Sequence, residues 1–276
     1  MSCCLPSSNS SSTRSAPLRE DDTVVDRIHQ AFPGAMRSSA LAAHVKKELS
    51  AKGYSDKTTL LATSLCCDEV NRELEKDFTS VYNYNFSMGG LAGFSFGGVT
   101  SFGAMAHHIP TGGSETPTGS CVIVYGPHVG VDGDGVVGKV NRRGRPGSGA
   151  CCGSAAAAAG YCKAVQDGAE PNPPAVDALD AQQTFVGNML LPHAERLSSA
   201  ADADVELPLA LFDVQDEFMK KIVSKGCGEV AGEGKIALLG GIQINTPAGT
   251  SEYFLPKVFL IMNNKGEKID DLMSTF

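Results

Sequence analysis

Residues 125–153 form the stretch YGPHVGVDGDGVVGKVNRRGRPGSGACCG, which continues from the apolar run SCVIVY at Ser120–Tyr125. That run predicts a buried strand. The stretch itself is rich in glycine and holds one histidine, His128, directly after the strand. Its end leads into a run of five alanines, which have the strongest helix propensity, so a helix is predicted over Cys152–Val165. Strand, loop and helix in this order are typical of an α/β protein.

A second unit of the same kind lies upstream, where Ser64–Arg72 reads SLCCDEVNR. The run TLLATSL at Thr59–Leu65 predicts a buried strand. Asp68 then stands where the N-cap of a helix over Glu69–Phe78 is expected. The cysteine pair between them, Cys66 and Cys67, therefore falls at the carboxyl end of a strand, which is where open α/β sheets keep their sites.

The other segments predict further helices, a hairpin and a packed wall. Near the start, the sequence predicts a helix that is capped by Asp21 or Asp22 and ends at Pro33-Gly34, and then a helix that Gly53 stops. Later helices are predicted over Val176–Leu191 and Asp204–Lys225, with interruptions at Pro192 and Pro208. The remaining predictions are a hairpin of Lys235–Asn245 and Tyr253–Asn263 at a sheet edge, and a close-packed glycine and phenylalanine wall at Phe86–His108. We predict one α/β domain over residues 21–276, with a central sheet flanked by helices, and a disordered Ser-rich tail over residues 1–20.

Composition limits the possible partners. The chain has 276 residues, 42% of them hydrophobic, and its 23 basic and 31 acidic residues give a formal charge of −8. An acidic chain without a long basic face is not expected to bind nucleic acid or an anionic membrane, and no apolar run is long enough to insert into one. Nine cysteines, several of them adjacent, indicate a reducing compartment in which thiols serve metal binding or packing. The Ser-rich start faintly resembles a transit peptide, but a disordered tail is the simpler interpretation. Because no targeting segment is evident, both the chloroplast stroma and the cytoplasm remain expected locations.

Two cysteines, one histidine and an acid–base pair are the parts of an open zinc site. Three protein ligands leave the fourth position to water, which distinguishes catalytic from structural zinc. Cys66 and Asp68 can face one centre from a single turn, and Arg72 lies four residues after Asp68, where a helix would pair them. Cys152 at a helix N-terminus would have a stabilised thiolate. The plainer alternatives are an N-cap with a surface ion pair, and small buried thiols that only fill the core.

Other residues of the central stretch leave alternatives open. GDGVVG at Gly133–Gly138 matches GxGxxG formally, but a flexible glycine loop is the simpler interpretation because no helix is predicted after it. Asp132 can support the imidazole or stabilise a turn. His107 and His108 can shuttle protons or cap a helix end. The basic residues of the stretch can attract an anionic ligand or form a solvated loop; they are Lys139, Arg142, Arg143 and Arg145.

Four motifs together make the resemblance to a known family specific. SLCCDEVNR, AHHIP at Ala106–Pro110, GPHVGVDGDG, and an Arg-Arg-Gly followed by CCGS resemble the low-CO2-inducible B/C proteins of algae, which are related to theta-class carbonic anhydrases. The resemblance covers most of residues 41–260. It implies a beta-carbonic-anhydrase-like fold with Zn²⁺ held by Cys66, His128 and Cys152, and a catalytic dyad of Asp68 and Arg72. Two spacings differ from the beta-class pattern, since Arg72 follows Asp68 by four residues rather than two, and Cys152 follows His128 by 24 rather than three.

The activity that this resemblance implies is the reversible hydration of CO2 to bicarbonate, in the service of inorganic-carbon concentration. Asp68 would accept a hydrogen bond from the attacking hydroxide, and Arg72 would keep Asp68 ionised. The main alternative is a catalytically silent zinc-binding subunit or regulator of a CO2-concentrating complex. A cysteine hydrolase using Cys152 and His128 is a third hypothesis, although no oxyanion motif supports it. We also expect a homodimer, or a hetero-oligomer with a paralogue.

Overall fold

The computed structural model describes residues 22–113, 118–170 and 177–276, so the predicted tail and the Asp21 cap lie outside the described residues. The helices are α1 Asp22–Ala31, α2 Ser38–Ala51, α3 Arg72–Tyr82, α4 Gly98–His107, α5 Gly153–Gln166, α6 Ala181–Leu190, α7 Ala194–Ser199 and α8 Ala203–Gly226. The strands are β1 Met36–Arg37, β2 Thr59–Ser64, β3 Asn85–Ser87, β4 Ser120–Tyr125, β5 His128–Gly130, β6 Lys139–Val140, β7 Gly149–Ala150, β8 Lys235–Asn245, β9 Tyr253–Asn263 and β10 Lys268–Asp271.

A central mixed sheet organises the single α/β domain, which confirms the predicted fold class. The strand order is β1-β9-β8-β4-β2-β3, with β5 added beside β8 and β10 beside β9. Strands β3, β2, β4 and β8 run parallel, whereas β9 is antiparallel to β8. The carboxyl ends of β2, β4 and β8 consequently meet at one edge of the sheet, where the candidate residues lie.

Helices cover both faces of the sheet, and the buried strands alternate their side chains between two cores. Leu60 and Ile123 point into the core beneath α1, α4 and α8, while Leu61 and Val122 point into the core beneath α2 and α3. All six residues of β2 and all six of β4 are buried. Strands covered on both faces are expected to read as continuous apolar runs, which is why the sequence predicts them well.

The turn between β4 and β5 places His128. The backbone of Gly126 has φ +146° and passes so close to β8 that a Cβ there would lie 1.7 Å from the carbonyl oxygen of Gly241. After this turn β5 pairs in parallel with the end of β8, with His128 opposite Gln243 and Gly130 opposite Asn245. The close approach and the register together fix the imidazole at the end of β8.

Three predicted elements differ in detail from the structure. Strands β8 and β9 form the predicted hairpin with the predicted bounds, but β8 is a central strand, because β4 pairs with its other side. Helix α6 runs from Ala181 to Leu190, so the predicted helix Val176–Leu191 starts too early; Val176 itself lies outside the described residues. Pro208 does not interrupt α8, which runs unbroken from Ala203 to Gly226, whereas Pro192 does lie in a short 3-10 turn after α6.

The glycine and phenylalanine wall at Phe86–His108 is closely packed, as predicted. A Cβ at Gly89 would lie 2.0 Å from the carbonyl oxygen of Leu65, and one at Gly93 would lie 2.4 Å from that of Gly126. The phenyl ring of Phe94 contacts three other phenylalanine rings. These contacts hold the segment against the ends of β2 and β4. Within the described ranges, no helix is long and apolar enough to cross a membrane.

Candidate metal centre

Three buried side chains from separate parts of the sequence converge at the carboxyl edge of the sheet. Cys66 follows β2, His128 begins β5, and Cys152 is the N-cap residue of α5. Their sulfur and imidazole nitrogen atoms all lie within 4.8 Å of one another. Ligand atoms around a tetrahedral zinc ion are separated by roughly 3.5 to 4 Å, so a small closure would bring this group to coordination distance.

The hydrogen bonds of His128 fit a metal ligand. Its Nδ1 lies 2.8 Å from Oδ1 of Asn245. Its Nε2 is buried and, among the described residues, has no hydrogen-bond partner of ordinary geometry. A buried polar atom without a partner is costly, and a ligating histidine characteristically uses one nitrogen for the metal and the other for a hydrogen bond. The donor set of two thiols and one imidazole suits zinc.

Protons are shared within this cluster. The pKa of Cys66 is lowered to about 4 by a hydrogen bond between Cys66 and Cys152 and by the neighbouring imidazole, although burial opposes this. The hydrogen bond with Cys66, together with burial, raises the pKa of Cys152. Burial alone would lower the pKa of His128, but the thiols around it, Cys151 first, raise it well above its usual value. A divalent cation would displace these shared protons, as metal binding to thiols does in general.

The second member of each cysteine pair takes a different place. Cys67 is exposed, whereas Cys66 is buried in the ligand group. Cys151 is buried behind the imidazole, with its sulfur 3.4 Å from Nδ1 of His128 and 3.4 Å from Oδ1 of Asn245. Adjacent side chains leave the backbone in different directions, and only one cysteine of each pair belongs to the ligand group.

Asp68 is held by Arg142, and this corrects the pairing with Arg72 predicted from the sequence. The guanidinium of Arg142 donates to both carboxylate oxygens of Asp68, at 2.8 and 2.9 Å. Arg72 donates instead to the carbonyl oxygen of Cys66 at 2.7 Å and to Glu75 at 2.6 Å. The helical i,i+4 rule fails because Asp68 precedes a 3-10 turn over Glu69–Asn71, which rotates Arg72 away from it.

Arg142 ties three segments of the site together. It also donates to Glu69 at 2.6 Å and to the carbonyl oxygen of Cys151 at 2.7 Å. Burial alone would raise the pKa of Asp68, but the hydrogen bonds from Arg142, together with contacts to Glu69, the backbone N–H of Val70 and the nearby imidazole, outweigh it and lower the pKa to about 2. The carboxylate is therefore ionised at neutral pH, with a fixed orientation beside Cys66. The sequence analysis had placed Arg142 among four basic residues of the glycine-rich stretch, but nothing in the sequence paired it with Asp68.

Other candidates take the plainer of their two predicted roles. Asp132 accepts hydrogen bonds from the backbone of Asp134 and Val136, and so stabilises a turn rather than the imidazole. His107 ends α4 and pairs with Glu229, and His108 is the C-cap residue of that helix. The GxGxxG match lies in a loop that leads into the small β6–β7 hairpin, not into a helix.

A buried polar group that the sequence analysis did not single out lies behind His128. Asn245 is fully buried and donates through Nδ2 to Glu252 at 2.9 Å, and Gln243 donates to the same carboxylate oxygen at 2.9 Å. Burial raises the pKa of Glu252 to about 7, despite these two hydrogen bonds. No local pattern marks these residues, because they belong to one strand and the following turn and meet His128 only through the β5–β8 register.

Glu252 is expected to make stability fall as pH rises. The folded chain keeps the Glu252 proton up to about pH 7, whereas an unfolded chain releases it near pH 4.3, so the free energy of unfolding should decrease between these two values. Nearby Glu73 raises this pKa and His128 lowers it. The test compares Glu252→Gln with the parent by urea unfolding of the metal-free protein at several pH values. The difference between the two should depend on pH in this window; a constant difference would contradict the prediction.

The comparisons with known proteins identify the family. Residues 35–263 match the family model of limiting CO2-inducible proteins B/C, beta carbonic anhydrases, and the chain belongs to this family. No curated protein matches it. The crystal structure of PtLCIB4, a homolog of the limiting CO2-inducible protein LCIB, is 48% identical, with a TM-score of 0.83 over 90% of this chain and 100% of that one. A point mutant of PtLCIB4 gives 46% identity and a TM-score of 0.84, covering 91% of this chain and 99% of that one.

A more distant relative shares the fold. The crystal structure of LCIB itself is 21% identical to this chain, with a TM-score of 0.66 over 87% of this chain and 96% of that one. The family model and the structure of PtLCIB4 confirm the family and the α/β architecture that the sequence analysis inferred.

Proposed function

We propose that this chain catalyses the zinc-dependent, reversible hydration of CO2 to bicarbonate. The observation that carries the proposal is the buried group of Cys66, His128 and Cys152 beside an aspartate that an arginine holds through two hydrogen bonds. The description of the family as beta carbonic anhydrases agrees with it. Zinc held by the three residues would supply the Lewis acidity that makes water a nucleophile near neutral pH.

The chain's own residues give the site its selectivity. Asp68 is ionised and can only accept hydrogen bonds, so it favours a hydroxyl group oriented with its hydrogen toward the carboxylate. Arg142 fixes the direction of that acceptor through its paired hydrogen bonds. The two thiolates partly neutralise a dication, so they reduce its acidity relative to three neutral ligands, and the aspartate becomes more important for orienting the nucleophile.

A cavity beside the ligand group suits a small apolar substrate. It has a volume of about 100 Å³ and is lined by His128, Cys152 and Asp204 together with apolar side chains, including Ala155, Leu207 and Leu211. CO2 carries no charge and makes only weak hydrogen bonds, so an apolar wall facing a nucleophile can hold it without a dedicated polar contact. The names of the relatives refer to induction by limiting CO2, which supports a role in supplying inorganic carbon.

Zinc content is the first test. Purified protein is expected to contain one zinc ion per chain by elemental analysis, and Cys152→Ala should lose most of it because a ligand is missing. Cys151→Ala is the matched control, since Cys151 is adjacent and buried but lies outside the ligand group, and it should keep its zinc. If Cys151→Ala lost its zinc and Cys152→Ala kept it, the third ligand would be Cys151. A zinc-free parent would refute the proposal.

CO2 hydration is then measured by stopped flow on the zinc-loaded parent. Activity above that of the Cys152→Ala variant supports the proposal. A parent that holds zinc but does not accelerate hydration would instead identify a catalytically silent zinc-binding subunit. The homodimer, the partnership with a paralogue and the compartment stay predictions.

A further inference from the structure

We propose that Asn245 is a positioning residue that keeps a proton on Nδ1 of His128 and so directs the lone pair of Nε2 toward the thiols. The proposal rests on the ligand group described above and extends it to residues of β8 and the turn after it. It concerns the arrangement of hydrogen bonds in the folded chain. It can be tested without an activity measurement.

The surroundings of Asn245 determine the orientation of its amide. Nδ2 faces two acceptors, the carbonyl oxygen of Val70 at 3.0 Å and the carboxylate of Glu252 at 2.9 Å. Oδ1 faces the thiol of Cys151 at 3.4 Å and Nδ1 of His128 at 2.8 Å. An amide rotated by 180° would place its oxygen against two oxygens and its NH₂ group against the imidazole. Because Asn245 is fully buried, no water can repair those losses, and only one orientation satisfies the network.

That orientation determines the proton of His128. A carbonyl oxygen can only accept, so at 2.8 Å the imidazole Nδ1 must be the donor. When a cation displaces the second proton and leaves the imidazole neutral, the other nitrogen, Nε2, then carries the lone pair. Nε2 is the atom that is buried without a hydrogen-bond partner of ordinary geometry within the described part of the chain. The network therefore prepares the nitrogen that faces the cysteines to bind a cation.

Glu252 holds Asn245 in this orientation. Its carboxylate oxygen accepts from both Asn245 and Gln243, at 2.9 Å each. The backbone carbonyl of Glu252 in turn accepts from the backbone N–H of Ser38 at 2.9 Å, which anchors the turn to the start of α2. We call this series of hydrogen bonds, from α2 through Glu252 and Asn245 to His128, the relay. It crosses the β8–β5 pairing that places the imidazole.

The experiment compares Asn245→Leu with Gln243→Leu. Leucine has nearly the shape of asparagine but makes no hydrogen bond, so Asn245→Leu should weaken zinc binding about 10- to 100-fold in competition with a chromophoric chelator. Gln243 is the matched control, because it lies on the same strand, is equally buried and donates to the same carboxylate, while its side chain has no hydrogen bond to His128. Gln243→Leu should show a clearly smaller loss. Equal losses in both variants would overturn the proposal.

A spectroscopic measurement on the parent protein does not depend on a variant that folds. In protein labelled with ¹⁵N-histidine, the signal of His128, assigned by its absence in His128→Gln, should show a proton on Nδ1 in both the metal-free and the zinc-loaded chain. Asn245→Leu should leave that proton exposed to rapid exchange. An unprotonated Nδ1 in the parent would overturn the proposal whether or not zinc binds.

The two proposals fail in different ways. A parent that binds no zinc but carries an Nδ1 proton that Asn245→Leu exposes to rapid exchange contradicts the proposed hydratase and supports the role of Asn245. A parent that binds zinc equally well with Asn245→Leu contradicts the role of Asn245 and leaves the hydratase in place. Glu252→Ala provides an independent variant: it frees the amide to rotate and should weaken zinc binding, and unchanged binding would count against the relay.

Discussion

Asp68→Asn is expected to lower the rate of CO2 hydration by about 100-fold or more while the protein keeps its zinc and its fold. The reason is that an amide presents an NH₂ donor and no charge where the carboxylate presents only acceptors. The fold should survive because Asp68 caps the backbone N–H of Val70, and asparagine caps a helix about as well as aspartate. Stopped-flow hydration and zinc analysis on the same samples measure both quantities.

Variants of Arg142 and Arg72 test which of the two arginines forms the catalytic pair with Asp68. Arg142→Gln should cause a comparable loss, and combining it with Asp68→Asn should add little, because the two side chains act as one unit. Arg72→Gln is the matched control from the sequence-based prediction and should cause a smaller loss, since Arg72 donates to the carbonyl oxygen of Cys66 and to Glu75. If Arg72→Gln abolished activity and Arg142→Gln did not, the pairing with Arg142 would not be the catalytic one. Full activity in Asp68→Asn would contradict the mechanism itself.

Gly126→Ala is expected to destabilise the folded chain by more than about 4 kcal/mol, or to prevent folding. The new Cβ would lie 1.7 Å from the carbonyl oxygen of Gly241, which belongs to the backbone of a central strand and cannot rotate away. The φ of +146° adds strain that only glycine avoids. Urea unfolding measures the change, and soluble yield reports it if the variant does not fold.

Gly149→Ala provides the comparison for that variant. Gly149 lies in the same glycine-rich stretch, but a Cβ there would meet nothing within 4 Å. Its substitution should change the free energy of unfolding by no more than about 0.5 kcal/mol, as is usual at exposed positions. A Gly126→Ala protein as stable as Gly149→Ala would show that β8 is not packed against this turn as described.

The elements that depend on local interactions could be predicted from the amino-acid sequence. Apolar runs identified β2, β4, β8 and β9 to within a residue, because buried strands need continuous apolar side chains. The alanine run identified α5, with Cys152 at its N-terminus. The residue types at the strand ends were also enough to suggest a zinc site, since two thiols and an imidazole are a ligand set that zinc prefers.

The contacts between distant side chains could not be predicted from the sequence and are seen only in the folded chain. Asp68 and Arg142 are 74 residues apart, and His128 and Asn245 are 117 apart, so no helical or strand periodicity relates them. The nearest local candidate, Arg72, satisfied the i,i+4 rule but is turned toward the Cys66 carbonyl by the 3-10 turn. Local sequence thus determines the elements and the kinds of ligand, whereas strand register and loop packing determine the partners, because those contacts form only when distant segments pack together.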